Sequence, residues 1–72
     1  MRNSLETDLR LQDLRVLESR SLIEKQRSFI AKLEEEGRDT ALARAVLSKL
    51  VELHRLRERN LENLRIEGEE AE

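Results

Sequence analysis

The chain has 72 residues, 42% of them charged and 38% hydrophobic, and interspersed signs leave a net charge of −2. It contains no cysteine, proline, tryptophan or tyrosine, one phenylalanine and one histidine. Disulfides, thiolate metal centres and nitrogen-rich metal sites are thereby excluded, and almost no aromatic surface remains for stacking on bases.

A chain this short forms one small domain, with a modest core unless a staple or a partner adds to it. Its Leu, Glu and Arg content is that of long helices and coiled coils. No apolar run approaches membrane-spanning length, and the N-terminus has no signal-peptide core, so a soluble cytoplasmic protein is expected.

The first helix is expected over residues 4–36. Asn3 followed by Glu6 can cap it reciprocally, each side chain serving an amide that lacks an intrahelical partner. Leu9, Val16, Ile23 and Ile30 recur every seven residues, and Leu5, Gln12, Ser19, Gln26 and Leu33 alternate with them. This is a sustained heptad seam, mixed in polarity because three of those five alternating positions are polar.

Gly37 then suits the left-handed residue that ends a helix, and Asp39 the N-cap of the next, with a turn over 37–39. Thr40 begins a second helix expected over 40–66. Its stripe is Ala43, Val46, Leu50, Leu53, Arg57, Asn60 and Leu64, widened by Leu42, Leu47, His54 and Leu61. The tail over 67–72, with Gly68 among like charges, is expected to be disordered and solvated. A short connection between two long helices favours antiparallel packing, so the fold class is an all-α helical hairpin.

Pairing the seams places Leu33 opposite Ala43, Ile30 opposite Val46, Gln26 opposite Leu50 and Ile23 opposite Leu53. Ser19 then faces Arg57, Val16 faces Asn60 and Gln12 faces Leu64. Leu11, Leu14, Leu17 and Leu56 point away from this seam, and Leu5 and Leu9 overhang the end of the second helix. With Leu61 and Leu64, these residues are the candidate interface. Near the turn Leu22, Phe29, Leu47 and Val51 lie beside the seam. Two helices cannot cover apolar stripes this wide, so the expected assembly is a homodimer forming a four-helix bundle, with a different protein partner as the other possibility.

Glu34, Glu35 and Glu36 crowd a helix C-terminus, where the dipole disfavours negative charge. With Arg38 they are either a solvated helix end or a recognition surface at the tip. His54 tempts a catalytic reading, as the lone histidine of a helical hairpin resembles the phospho-accepting histidine of bacterial phosphotransfer domains. However, "LHRLRER" carries none of their motif, and a partly buried or interface histidine is the reading adopted. Without a second nucleophile, a carboxylate pair in a cleft or a ligand cluster, no reaction class can be assembled. No catalytic, cofactor, metal or small-molecule site is expected.

Residues 40–66 hold six basic and three acidic side chains, and a basic helix can track phosphates. Yet Arg55, Arg57 and Arg59 splay over different faces, and Glu52, Glu58 and Glu62 interrupt them. Nucleic-acid association through the second-helix arginines is therefore the alternative to a protein-binding role. Arg57 falls on a core position and needs a carboxylate or carbonyl partner there.

Residues 23–50, "IEKQRSFIAKLEEEGRDTALARAVLSKL", resemble short uncharacterised helical segments of proteobacterial proteins with the pattern I-x-x-Q-x-x-x-I-x-x-L-x-x-x-G-x-D-T-x-x-A-x-x-x-L-x-x-L. Ile23, Gln26, Ile30, Leu33, Gly37, Asp39, Thr40, Ala43, Leu47 and Leu50 carry the match. The resemblance implies a bacterial helical hairpin and assigns no activity. The reading as a whole is a non-catalytic protein–protein interaction or regulatory module acting through helical-bundle association.

Overall fold

A computed structural model describes residues 2–70, with side chains described for residues 4–69. Two helices, α1 (Arg2–Glu35) and α2 (Ala41–Glu70), pack antiparallel as a hairpin measuring 55 × 15 × 12 Å. The first helix thus begins ahead of Asn3, which lies within it, and the side chain of Asn3 falls outside the described residues.

The turn stops one helix and starts the next with few residues. Gly37 has φ of 69°, the left-handed region that an L side chain enters only at a cost. The Gly37 amide donates to the Glu34 carbonyl at 3.0 Å and the Arg38 amide to the Leu33 carbonyl at 2.8 Å. These two bonds define a Schellman stop and satisfy carbonyls left over at the end of α1.

On the far side, the Thr40 carbonyl accepts the first intrahelical bond of α2 from the Arg44 amide. Thr40 is therefore the N-cap, one residue later than expected. Asp39 still serves the helix start, because its Oδ1 accepts from the Ala41 amide at 3.0 Å.

The α1 seam follows the expected heptads. Val16, Ser19, Ile23 and Ile30 are buried, while Leu5, Leu9, Gln12, Gln26 and Leu33 are half-buried. The α2 seam differs. Val46, Leu53 and Asn60 are exposed, and their neighbours Leu47, His54 and Leu61 turn inward with Ala43, Leu50, Arg57 and Leu64.

Two cross-helix contacts fix the register. Ser19 Oγ lies 2.7 Å from His54 Nδ1, and a Cβ on Gly68 would meet Leu5 Cδ2 at 3.3 Å. Stepping by heptads between them sets Ile30 beside Ala43, Gln26 beside Leu47, Ile23 beside Leu50 and Val16 beside Arg57. Gln12 then lies beside Leu61 and Leu9 beside Leu64. Relative to the pairing drawn from the sequence, α2 has slid three residues along α1, about 4.5 Å.

The second helix is also longer than expected. It continues through Gly68 to Glu70 instead of dissolving into a tail at residue 67, so Leu5 and Leu9 are covered rather than overhanging. Residues 71 and 72 of the expected tail lie outside the described residues. Glycine inside a helix costs about 1 kcal/mol relative to alanine, but here its missing side chain makes room for Leu5.

The two glycines should respond oppositely to substitution by alanine. Gly37→Ala forces a side chain into a left-handed conformation and should lower stability by about 1 kcal/mol, although no atom stands near the new methyl. Gly68→Ala gains helix propensity against a yielding Leu5 side chain, and should raise stability by up to about 1 kcal/mol. Urea midpoints at one fixed protein concentration check both.

Candidate functional site

Midway along the hairpin a polar layer interrupts the apolar seam. Ser19 is fully buried, and its hydroxyl lies 3.0 Å from the Arg15 carbonyl and 3.1 Å from that of Val16, as well as 2.7 Å from His54 Nδ1. His54 Nε2 faces Glu58 Oε1 at 3.4 Å, one helical turn on. Arg57, only 19% exposed in its side chain, donates from one terminal nitrogen to the Arg15 carbonyl at 2.9 Å and to Glu18 Oε1 at 3.2 Å.

The hydroxyl has a single proton, so hydrogen-bond logic restricts the arrangements. With a proton on His54 Nε2, Nδ1 accepts from Ser19 and Nε2 faces the Glu58 carboxylate. With a proton on Nδ1, the imidazole donates to Ser19 Oγ and the hydroxyl turns to the α1 carbonyls. Each form leaves Ser19 satisfied. Among the described residues no buried side-chain nitrogen or oxygen lacks a partner, as a polar layer inside a small core requires.

Ser, His and Glu in a row suggest nucleophilic catalysis, but this geometry does not support it. The serine has no accessible surface, and its oxygen is held against two carbonyls of its own helix. A nucleophile must reach a substrate and sit beside donors for the developing oxyanion. The layer instead ties the helices together at one register. The expected Ser19–Arg57 pairing is replaced by Ser19–His54, and Arg57 finds both a carbonyl and a carboxylate on α1. His54 is partly buried, as expected, though in the seam itself and not beside it.

The two long flanks of the hairpin differ in character. One is charged and closed by ion pairs between the helices: Glu34 with Arg44 near the turn, and Asp13 with Arg65 at 3.5 Å towards the far end. Between them a shallow groove of about 520 Å³ has Val16 and Leu61 as its floor and Leu17, Arg20, Glu58 and Glu62 around it. Exposed pairs of this kind contribute little individually.

On the opposite flank, near the turn, both helices expose apolar side chains. Helical periodicity puts Leu22 and Phe29 of α1 there, opposite Leu53 and Val46 of α2, at 38%, 50%, 38% and 41% exposure. Leu42 and Leu56 continue the patch on α2. A separate exposed tract, Leu11, Leu14 and Leu17, lies towards the outer side of α1.

The candidate interface residues therefore divide. Leu11, Leu14, Leu17 and Leu56 are exposed as expected. Leu61 is buried, and Leu5, Leu9 and Leu64 are half-buried within the intramolecular seam, because the three-residue slide and the longer α2 cover them. Sequence reasoning passed over Val46 and Leu53 as surface residues by placing them in the core. The signal that could have found them is the longer heptad run, since Val46 and Leu53 lead on to Asn60 and Glu67, whereas Leu47 leads through His54 to Leu61 and Gly68.

At the tip, the Glu34 carboxylate is met by Arg44 and Glu36 by Arg38 at 3.5 Å, and these four side chains are more than half exposed. Two of the three glutamates crowding the α1 C-terminus thus have local counter-charges, which offset the unfavourable dipole. Arg44, Arg57 and Arg65 of the second helix all engage acidic side chains of α1, whereas Arg55 and Arg59 engage none among the described residues.

Among the described residues, no group of three or more His, Asp or Glu side chains is placed to hold a metal ion, and no helix is long and apolar enough to cross a membrane. Set against protein-family models, curated protein sequences and solved structures, the chain matches none of them.

Removing Ser19 and His54 singly and together tests the layer. Ser19→Ala strands a largely buried imidazole nitrogen and should cost about 1–2 kcal/mol. His54→Leu should cost less, because the Ser19 hydroxyl keeps its backbone carbonyls. The double variant should be more stable than the sum of the two losses implies, a coupling readable from denaturation in a double-mutant cycle.

Proposed function

We propose that this hairpin is a non-catalytic protein–protein interaction or regulatory module that acts by helical-bundle association, with a homodimer as its basic assembly. The observation that carries this reading is a surface too large for a self-sufficient monomer. A compact protein of 8.5 kDa exposes roughly 4,700 Å², whereas the hairpin exposes 5932 Å². The difference, about 1,200 Å², exceeds the roughly 800 Å² that one partner contributes to a standard interface.

The core supports the same reading. Among the described residues its buried apolar side chains are Val16, Ile23, Ile30, Ala43 and Leu61, few for a domain without disulfide or metal staples. Ten large apolar side chains among the described residues meanwhile remain exposed, and fully burying an exposed one is worth roughly 1.5–3 kcal/mol. Association supplies the missing cover. Regulation through such a bundle requires only that folding and partner binding be linked, because whatever binds the folded hairpin stabilises it by mass action.

Light scattering behind a sizing column tests the homodimer. The expected species at micromolar concentration has twice the chain mass, with a thermal midpoint that rises with protein concentration. A fully folded monomer whose midpoint does not change with concentration would exclude self-association.

A further inference from the structure

We infer that the apolar flank near the turn receives a second copy of this chain, antiparallel to the first, about a two-fold axis crossing the hairpin between residues 24 and 25 of α1 and level with residues 48 and 49 of α2. This rests on the bundle reading above and assigns its interface to Leu22, Phe29, Val46 and Leu53, away from the far-half leucines.

The argument is one of symmetry. A two-fold interface is self-complementary, so each contact between residues i and j recurs as j and i. Residues meeting across an antiparallel axis must therefore lie equally far from one centre. Leu22 and Phe29 are equidistant from a point between residues 25 and 26. Val46 and Leu53 are equidistant from one between 49 and 50. In the register set by Ser19 and His54, the first centre is level with residues 47 and 48 of α2, so the two centres lie two residues, about 3 Å, apart along the hairpin. One axis midway between them serves both helices, with α1 against α1 and α2 against α2, each apolar pair meeting with a stagger of about 3 Å. Phe29 packs on the partner copy's Leu22, and Val46 on its Leu53.

The flanking residues obey the same axis. Leu42, the most exposed of the large apolar side chains at 80%, meets Leu56 of the other copy. Along α1, Lys32 meets the other copy's Glu18, and Arg15 meets its Glu36, so opposite charges bracket the Leu22–Phe29 contact on both sides. Glu18 reaches Arg57 through Oε1, which leaves Oε2 for the lysine. The like charges brought together are Lys25 and Lys49 at the axis. Both are exposed rim residues, and Lys49 already has Glu52 at 3.6 Å.

The other flank has no comparable vacancy, since its cross-helix ion pairs Asp13–Arg65 and Glu34–Arg44 are satisfied within one hairpin. A second pair of helices laid on the apolar flank completes a four-helix core around Leu22, Phe29, Val46 and Leu53. The paired surface also accounts for the excess exposed area.

The chain has no cysteine, so single cysteines introduced into the full-length protein report geometry directly. Lys25→Cys and Lys49→Cys each stand beside their own symmetry mate, and should give covalent dimers in high yield with a short bis-maleimide. Leu14→Cys, on the outer side of α1, should give few. Phe29→Glu and Leu53→Glu should each weaken dimerisation by at least about 100-fold, because each change enters the interface twice, while Leu14→Ser leaves it nearly unchanged. Helical circular dichroism separates dissociation from unfolding, and the cross-linking of the unmutated core covers any variant that fails to fold. A dimer that cross-links through Leu14→Cys and not through the two lysine positions overturns this interface but leaves the bundle reading standing. A chain that stays monomeric overturns both.

Discussion

Two long helices joined by a short turn have one degree of freedom that matters most, the distance one slides along the other. Here it is set from both ends. The Schellman stop at Gly37 and the cap formed by Asp39 and Thr40 fix where each helix begins relative to its partner, and the Ser19–His54 and Leu5–Gly68 contacts lock the remaining length. Because burying an unpaired imidazole nitrogen or guanidinium is costly, the polar layer penalises other registers alongside the apolar layers. Ser19 finds His54, and Arg57 finds the Arg15 carbonyl and Glu18, in this one alignment.

Register in turn decides which surface is left for other molecules. With Leu47, His54 and Leu61 facing inward, Val46 and Leu53 face out and join Leu22 and Phe29 in one patch built from both helices. The same alignment brings Asp13 to Arg65 and Glu34 to Arg44 on the opposite flank. One flank is thus electrostatically closed and the other apolar and open. A polar core layer that specifies alignment, together with an apolar surface that needs cover, is a combination familiar from helices that associate.

Much of the candidate site was legible and some was not, for a reason visible in particular residues. Along the first helix, polar and apolar positions alternate so regularly from Leu5 to Leu33 that one face alone can be buried. Along the second, Val46 and Leu47 are both apolar, as are Leu53 and the stem of His54, so two neighbouring stripes compete over the first two heptads. Only the far end discriminates, where Asn60 and Glu67 oppose Leu61 and Gly68. Glycine and glutamate near residue 68 disfavour an isolated helix, but packing beside Leu5 overrides that local preference. Placing Leu61 and Leu64 in an outer interface followed from the same misjudged end.

The sequence by itself determined two helices, the glycine stop between them, the seam of the first helix and apolar stripes wider than one seam covers. These are local matters of dihedral preference, capping and period. Tertiary structure alone decided the slide of one helix on the other, and with it the Ser19–His54 layer and the flank on which Leu22, Phe29, Val46 and Leu53 converge. Register is a competition between whole stripes of contacts, and the few buried polar groups that must find their partners help to settle it.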